Sequence, residues 1–271
     1  MVQNPIVRVL QQLIFPPLLL NQFKFSLQSI SKRSSTSETK SDEKVSTAIE
    51  TKPKPIHVLV PNLHPRFGTV IVIGQPRGGT SVTSGLCHLI GAQMGSDIDP
   101  SNMEDQIFRK ISHSSDRQTL IRSAINSLAE LGPLKGFKDP LVTDYLQEIL
   151  PLIDLPIFVF VIRDVVAIAE RETFEGQNFV KALQEADERR RRIVEFILKA
   201  ASDGIPSCAI SYERLLAEPE TAFIQLSHFL IGHTDPIHLS LIPRLVLPNS
   251  RMPEEINFVD IASSLHRANF G

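Results

Sequence analysis

Apolar and polar positions alternate between two rhythms along this chain. Uninterrupted apolar runs of four to seven residues are separated by longer stretches whose apolar residues recur every three or four positions. The runs at 69–73, 156–162 and 207–210 read as strands, and 135–138 is expected to be a short further strand. The segment 156–162, Pro-Ile-Phe-Val-Phe-Val-Ile, has no polar position at all, so it is expected to be a central parallel strand covered on both faces. The helical rhythm covers 81–94, 103–111, 119–131, 141–150, 165–174, 179–201 and 215–231, with a restart near Pro219. Strands alternating with helices predict an α/β fold: three layers, with helices on both sides of a central parallel sheet of about four to five strands. No internal repeat interrupts this order.

Residues 1–55 follow neither rhythm. There is no acidic residue before Glu38, serine and lysine dominate 26–41, and Lys52-Pro53-Lys54-Pro55 has the composition of a linker. This part reads as a disordered leader, with an organelle-targeting segment as the alternative. The folded domain is expected at 56–271. The apolar patch at 13–20 is broken by Pro16-Pro17 and too short to span a bilayer. A net charge of -2 argues against a nucleic-acid binder, which needs a strong basic excess. The two cysteines, Cys87 and Cys208, fall in apolar segments far apart, as small buried hydrophobes would. That favours a reducing compartment, and the expected location is cytoplasmic.

The candidate chemistry begins where the first strand ends. Gly74-Gln75-Pro76-Arg77-Gly78-Gly79-Thr80-Ser81 has the strand–glycine turn–helix setting and the G-x-x-x-x-G-x-S spacing of a P-loop, which wraps backbone N–H groups around a phosphate. A nucleotide-hydrolysing P-loop carries lysine where this chain has Thr80, so the cation nearest in sequence is Arg77. An anion carrying less charge than a triphosphate could be held there by one arginine and the amides of Gly78, Gly79, Thr80 and Ser81, without a bridging metal. Arg163 follows the strand 156–162, at the sheet edge where α/β proteins bind ligands, and its guanidinium could fork onto a phosphate. Arg163-Asp164 also fits a helix cap with a surface ion pair.

Four segments together resemble the sulfotransferases that use 3′-phosphoadenosine-5′-phosphosulfate (PAPS), of the bacterial or Golgi-like type. The glycine loop is similar to that family's P-R-S-G-T-[ST] phosphosulfate loop. Phe158 to Asp164 resembles its strand ending in Arg-Asp. Gly136-Phe137-Lys138-Asp139-Pro140 looks like its G-[WF]-K-D-P segment, and Tyr212-Glu213 to Glu220 its Y-E-x-L-x-x-x-P-E stretch. The resemblance covers about 69–232. It implies a P-loop-kinase-like fold, PAPS as co-substrate and adenosine 3′,5′-bisphosphate as product, with no metal. It also implies a small-molecule, lipid or glycan acceptor, its pocket formed from 95–131 and 175–199. Arg77 and residues 78–81 would hold the phosphosulfate and Arg163 the 3′-phosphate. Where the family has a serine eight positions after that arginine, this chain has Arg171, a second candidate for the 3′-phosphate. Glu104 maps onto the family's base, with Asp105 and His113 in reserve, and Lys138 would assist the leaving oxygen. Glu104 and Asp105 also fit the start of a helix, and Lys138 a salt bridge with Asp139. Two other classes stay open: a P-loop kinase or NTPase, and a catalytically silent member of the fold that binds without turnover. His228, His233 and His238 recur every five residues, which suits neither a helix nor a strand as a metal site. Arg189 to Arg192 fit the solvated face of a long helix with acids three or four positions away.

Overall fold

The computed structural model describes residues 53–246, which apart from 53 and 54 belong to the compact unit Pro55–Gly271. The expected leader lies outside the described residues, except for 53–55.

The strands are β1 (Ile56–Val60), β2 (Gly68–Ile73), β3 (Gln93–Met94), β4 (Ile98–Asp99), β5 (Glu104–Asp105), β6 (Leu134–Lys138), β7 (Pro156–Ile162) and β8 (Ser207–Ser211). The helices are α1 (Thr80–Ile90), α2 (Gln106–Ile111), α3 (Arg117–Ala129), α4 (Leu146–Ile149), α5 (Val165–Thr173), α6 (Phe179–Ser202), α7 (Tyr212–Ala217), α8 (Pro219–Ile231), α9 (Pro236–Leu239) and α10 (Ile242–Leu245). Six strands form one sheet in the order β1-β8-β7-β2-β6-β3, and β4 pairs with β5 separately. All neighbours in the large sheet are parallel except β1, which runs antiparallel along β8. This is the mixed α/β architecture expected, with one antiparallel edge strand added.

Alternation along each strand divides the core. Val70, Val72, Val159, Val161, Cys208 and Ile210 pack in one cluster with Leu86 and Leu89 of α1 and Phe223 and Leu226 of α8. The intervening residues, Ile71, Ile73, Phe158 and Phe160, are also buried, on the face where α6 packs against β7. Every residue of β2 is buried, as a central parallel strand requires.

Four expected elements differ. The helix expected at 81–94 ends at Ile90, where Gly91 takes φ 111° and its N–H closes on the Cys87 and His88 carbonyls; residues 93–94 then join the sheet. The helix expected at 103–111 begins only at Gln106, because Asp105 caps it from an extended backbone. The stretch 141–150 is two short 3₁₀ turns, Val142–Asp144 and Leu150–Leu152, around α4. The helix expected at 215–231 starts three residues earlier, at Tyr212, and the restart expected near Pro219 is observed, α8 beginning at that residue.

Both cysteines are buried and free. Burial pushes the Cys87 thiol up to about 12 from 9.0, and raises that of Cys208 well above the ordinary thiol value. An unfolded thiol ionises near its ordinary value while the folded one keeps its proton. The unfolded state therefore binds fewer protons above pH 9, and stability falls as pH rises from there toward 12. Denaturant melts between pH 8 and 11 are expected to show this fall, and a Cys87→Ala variant a shallower one.

Candidate functional site

The strand order places three ends side by side. β2 lies between β6 and β7, all parallel, so the loop after β2, Lys138 at the end of β6 and Arg163 just past β7 share the carboxyl edge of the sheet. From β2 the chain goes to β3 at one edge and back to β6 beside β2, then crosses to β7 on the other side and outward to β8, so the connections change direction at β2, a topological switch point.

Within the loop, the Gly78 N–H donates to the Gln75 carbonyl at 2.9 Å, closing a turn across Pro76 and Arg77. Proline at the second position and a positive φ at the third are the marks of a type II turn. The third residue here is Arg77, at φ 60°, where glycine is usual. An L-residue in that region carries strain of about 1–2 kcal/mol. Gly79 follows at φ 91° as the N-cap of α1, with no side chain capping the helix. The first N–H groups of α1 therefore have no intrahelical acceptor, and the helix dipole favours an anion there. A Cβ on Gly79 would overlap the Tyr212 ring.

Arg163 Nη1 donates to the Arg77 carbonyl at 2.5 Å, and its guanidinium lies 4.9 Å from the centroid of the Tyr212 ring. Its Nε is buried and without a partner among the described residues. Asp164 does cap α5, accepting from the Val166 and Ala167 N–H groups, but it makes no ion pair with Arg163 among the described residues. The Asp164 N–H in turn donates to Glu213 at 2.9 Å. Tyr212 and Glu213 thus brace both arginine-bearing segments, a role that the sequence pattern alone did not assign. The signal was their place directly after the last strand.

The Arg77 side chain is claimed from elsewhere. Its Nη2 donates to Glu175 and its Nε lies 4.0 Å from Glu172, so the last turn of α5 and the loop after it supply carboxylates where the sequence pointed to an incoming anion. Arg171 is half-buried on the last turn of α5 and forms no hydrogen bond or ion pair among the described residues.

A second cluster forms beneath the start of α1. Lys138, 2% exposed, donates to Glu104 Oε1 at 2.7 Å, to the Asn102 carbonyl at 3.1 Å and to Ser81 Oγ at 3.4 Å. Burial lowers the Lys138 amine below its ordinary value, and the Glu104 carboxylate opposes that. Arg109 approaches the other Glu104 oxygen at 3.7 Å. Lys138 therefore pairs with Glu104, and not with Asp139. Asp139 accepts from Tyr145 Oη at 2.8 Å, Ser112 Oγ at 3.1 Å and the Leu141 N–H, and burial pushes its carboxyl up. The two carboxylates at 104–105 separate in role. Asp105 is buried and fully used, accepting from the N–H groups of Ser96, Asp97, Ile107 and Phe108. Glu104, on β5, faces the lysine. His113 is exposed.

The arginine run on α6 is compensated residue by residue: Arg189 by Glu185, Arg190 and Arg191 by Asp187, and Arg192 by Glu188 and Asp144. Among the described residues no group of three or more His, Cys, Asp or Glu is placed to hold a metal ion, and no helix is long and apolar enough to cross a membrane.

No protein-family model matches this chain, and no curated protein does. Among solved structures it is similar to the sulfotransferase domain of the Synechococcus PCC 7002 olefin synthase, with 12% identity, a TM-score of 0.46, and 77% of this chain and 90% of that one covered. It is also similar to retinol dehydratase in complex with androsterone and the inactive cofactor PAP, with 14% identity, a TM-score of 0.40 and coverage of 77% and 81%. A putative kinase from Chloroflexus aurantiacus J-10-fl matches with 14% identity, a TM-score of 0.27 and coverage of 74% and 98%.

Proposed function

We propose that this protein is a sulfotransferase that moves a sulfuryl group from PAPS to a hydroxyl or amine of an acceptor, releasing adenosine 3′,5′-bisphosphate. The observation that carries the reading is the junction of Arg163 with the glycine loop. Its guanidinium bonds the Arg77 carbonyl, which brings a cradle without lysine and a strand-end arginine to one edge and supports reading that edge as an anion site. The residues fit such a nucleotide: the N–H groups that open α1 carry no cap, and Arg163 keeps a buried Nε without a partner among the described residues.

In this reading Arg77 and the amides of residues 78–81 hold the phosphosulfate, and Arg163 the 3′-phosphate, with Arg171 the nearest further cation along α5. The co-substrate supplies an activated sulfuryl group. As the acceptor oxygen bonds to sulfur, the bond from sulfur to the 5′-phosphate oxygen breaks, and the acceptor proton passes to Glu104. Lys138 and Ser81 sit beside Glu104, where a fixed ammonium and hydroxyl can meet the charge that develops on the leaving oxygen. Donor and acceptor held at one sheet edge supply much of the rate by proximity. The acceptor is a small molecule, lipid or glycan, and the free buried cysteines suit a reducing compartment such as the cytoplasm.

A silent binding protein of the same fold is the second reading, favoured by the carboxylates of Glu172 and Glu175 on Arg77. Thermal melts with adenosine 3′,5′-bisphosphate, and with ATP and magnesium, test both. A hundredfold excess of bisphosphate over its Kd is expected to stabilise the fold by about 2.7 kcal/mol. Arg163→Ala is expected to lose most of that shift, and ATP to give none. A shift with ATP and none with the bisphosphate would sink the proposal. Bisphosphate binding with no transfer of labelled sulfate from PAPS to any acceptor would favour the silent reading.

A further inference from the structure

We infer that the cleft between the base of the glycine loop, the turn after β6 and the inner face of α6 is the acceptor subsite. It takes a small, polar hydrogen-bond donor without net negative charge, such as a neutral sugar. The inference rests on the sulfuryl-transfer reading and names the substrate class for it.

The cleft has a volume of about 240 Å³, and Gly74 and Gln75 form part of its wall. Pockets for drug-sized ligands run from about 300 to 1,000 Å³. This one suits a molecule of monosaccharide size and is too small for a long apolar one. Its position suits an acceptor, because Gln75 lies two residues before Arg77 in the same tight turn.

Gln75 is the feature that asks for a ligand. It is 4% exposed, and its Oε1 has no hydrogen-bond partner among the described residues. A buried carbonyl left unbonded costs about 1–3 kcal/mol, which a ligand hydroxyl or N–H would recover. A pocket whose polar group needs a donor rejects analogues that lack one far better than an apolar pocket rejects a wrong shape.

The charges around the cleft decide between polar ligands. Asp144, Glu185 and Glu188 face it with Arg189 and Arg192, a formal balance of one negative charge. Both guanidiniums are already matched: Arg189 lies 3.4 Å from Glu185, and Arg192 lies 2.7 Å from Glu188 and 3.4 Å from Asp144. An acidic sugar would meet an excess of carboxylates and no unpaired cation. An apolar alcohol would desolvate five charged groups and leave Gln75 unbonded. The Arg192–Asp144 pair also ties α6 to the turn after β6, which holds the two walls together.

The test is a titration of the full chain, with and without saturating adenosine 3′,5′-bisphosphate, read by the NMR signal of the Gln75 side-chain amide. The probes are methyl glucoside, glucuronate and 1-octanol. Methyl glucoside is expected to move the Gln75 signal and to bind at least tenfold more tightly than the other two. In calorimetry, Gln75→Met, close in volume, is expected to weaken it at least tenfold while bisphosphate affinity stays within twofold. Tighter binding of glucuronate or octanol, a Gln75 signal that no probe moves, or unchanged methyl glucoside affinity in Gln75→Met overturns the inference. Probe binding is read without turnover. Absence of bisphosphate binding would therefore count against the transfer reading, separately from what the probes show at the cleft.

Discussion

Gly79→Ala is expected to lower stability by about 2–5 kcal/mol and, on the transfer reading, to abolish nucleotide binding. Two effects add. The left-handed backbone at φ 91° costs an L-residue about 1–2 kcal/mol. The new methyl would also fall inside the van der Waals envelope of the Tyr212 ring, and overpacking of this kind costs about 1–3 kcal/mol. The ring cannot yield without consequence, because it also lies against the Arg163 guanidinium. Thermal melts measure the loss. A second substitution separates the two effects: Tyr212→Ala in the Gly79→Ala background removes the clash and leaves the strain. The double variant should then be more stable than the sum of the single effects predicts. Equal additivity would mean that the ring and the glycine are not in contact.

The second large effect is expected at the buried pair. Glu104→Gln leaves the Lys138 ammonium, 2% exposed, without its carboxylate. Removing one partner of a buried ion pair costs about 3–5 kcal/mol. Lys138→Met should cost less, because Arg109 still lies 3.7 Å from Glu104 and the site opens toward it. The double variant should recover much of the loss. The sign of the pH dependence follows from the lysine. Burial lowers its folded value below 10.5, so above that lowered value the unfolded chain binds a proton that the folded one lacks, and the lysine contribution to stability rises with pH. Without Glu104 the lowering is deeper. The gap in stability between parent and Glu104→Gln should therefore narrow as the solution becomes alkaline. A gap that stays constant up to pH 10 would show that removing Glu104 does not change how Lys138 holds its proton over that range. On the transfer reading, the same variant should still bind bisphosphate while losing sulfate transfer.

Strong local signals were legible in the sequence. The strand expected at 156–162 is observed over those residues, because seven consecutive apolar positions admit no other buried element. The loop at 74–81 sits between a strand and a helix as its glycines demand. The antiparallel strand β1 was not legible. It follows a Lys-Pro-Lys-Pro stretch, and its residues His57 and Val58 are only half-buried or exposed, so its pattern blends with the linker. The pairs β3–β6 and β4–β5 are two residues long, too short to show any period. At the site, the sequence named Glu104, Lys138 and Ser81 separately, and only the fold reveals that one ammonium joins them across 34 and 57 positions. It gave no sign that Glu172 and Glu175 reach the glycine loop. A contact 98 positions apart in the chain leaves no local trace.

That contact changes what binding at this edge measures. Arg77 is not bare in the resting molecule, since the α5–α6 connection already gives it a counter-ion of its own. On the transfer reading an arriving anion performs an exchange: it must out-compete two tethered carboxylates, which never dilute away. Any substitution at Glu175 would alter apparent affinity by changing the empty protein, without touching a single contact of the bound one.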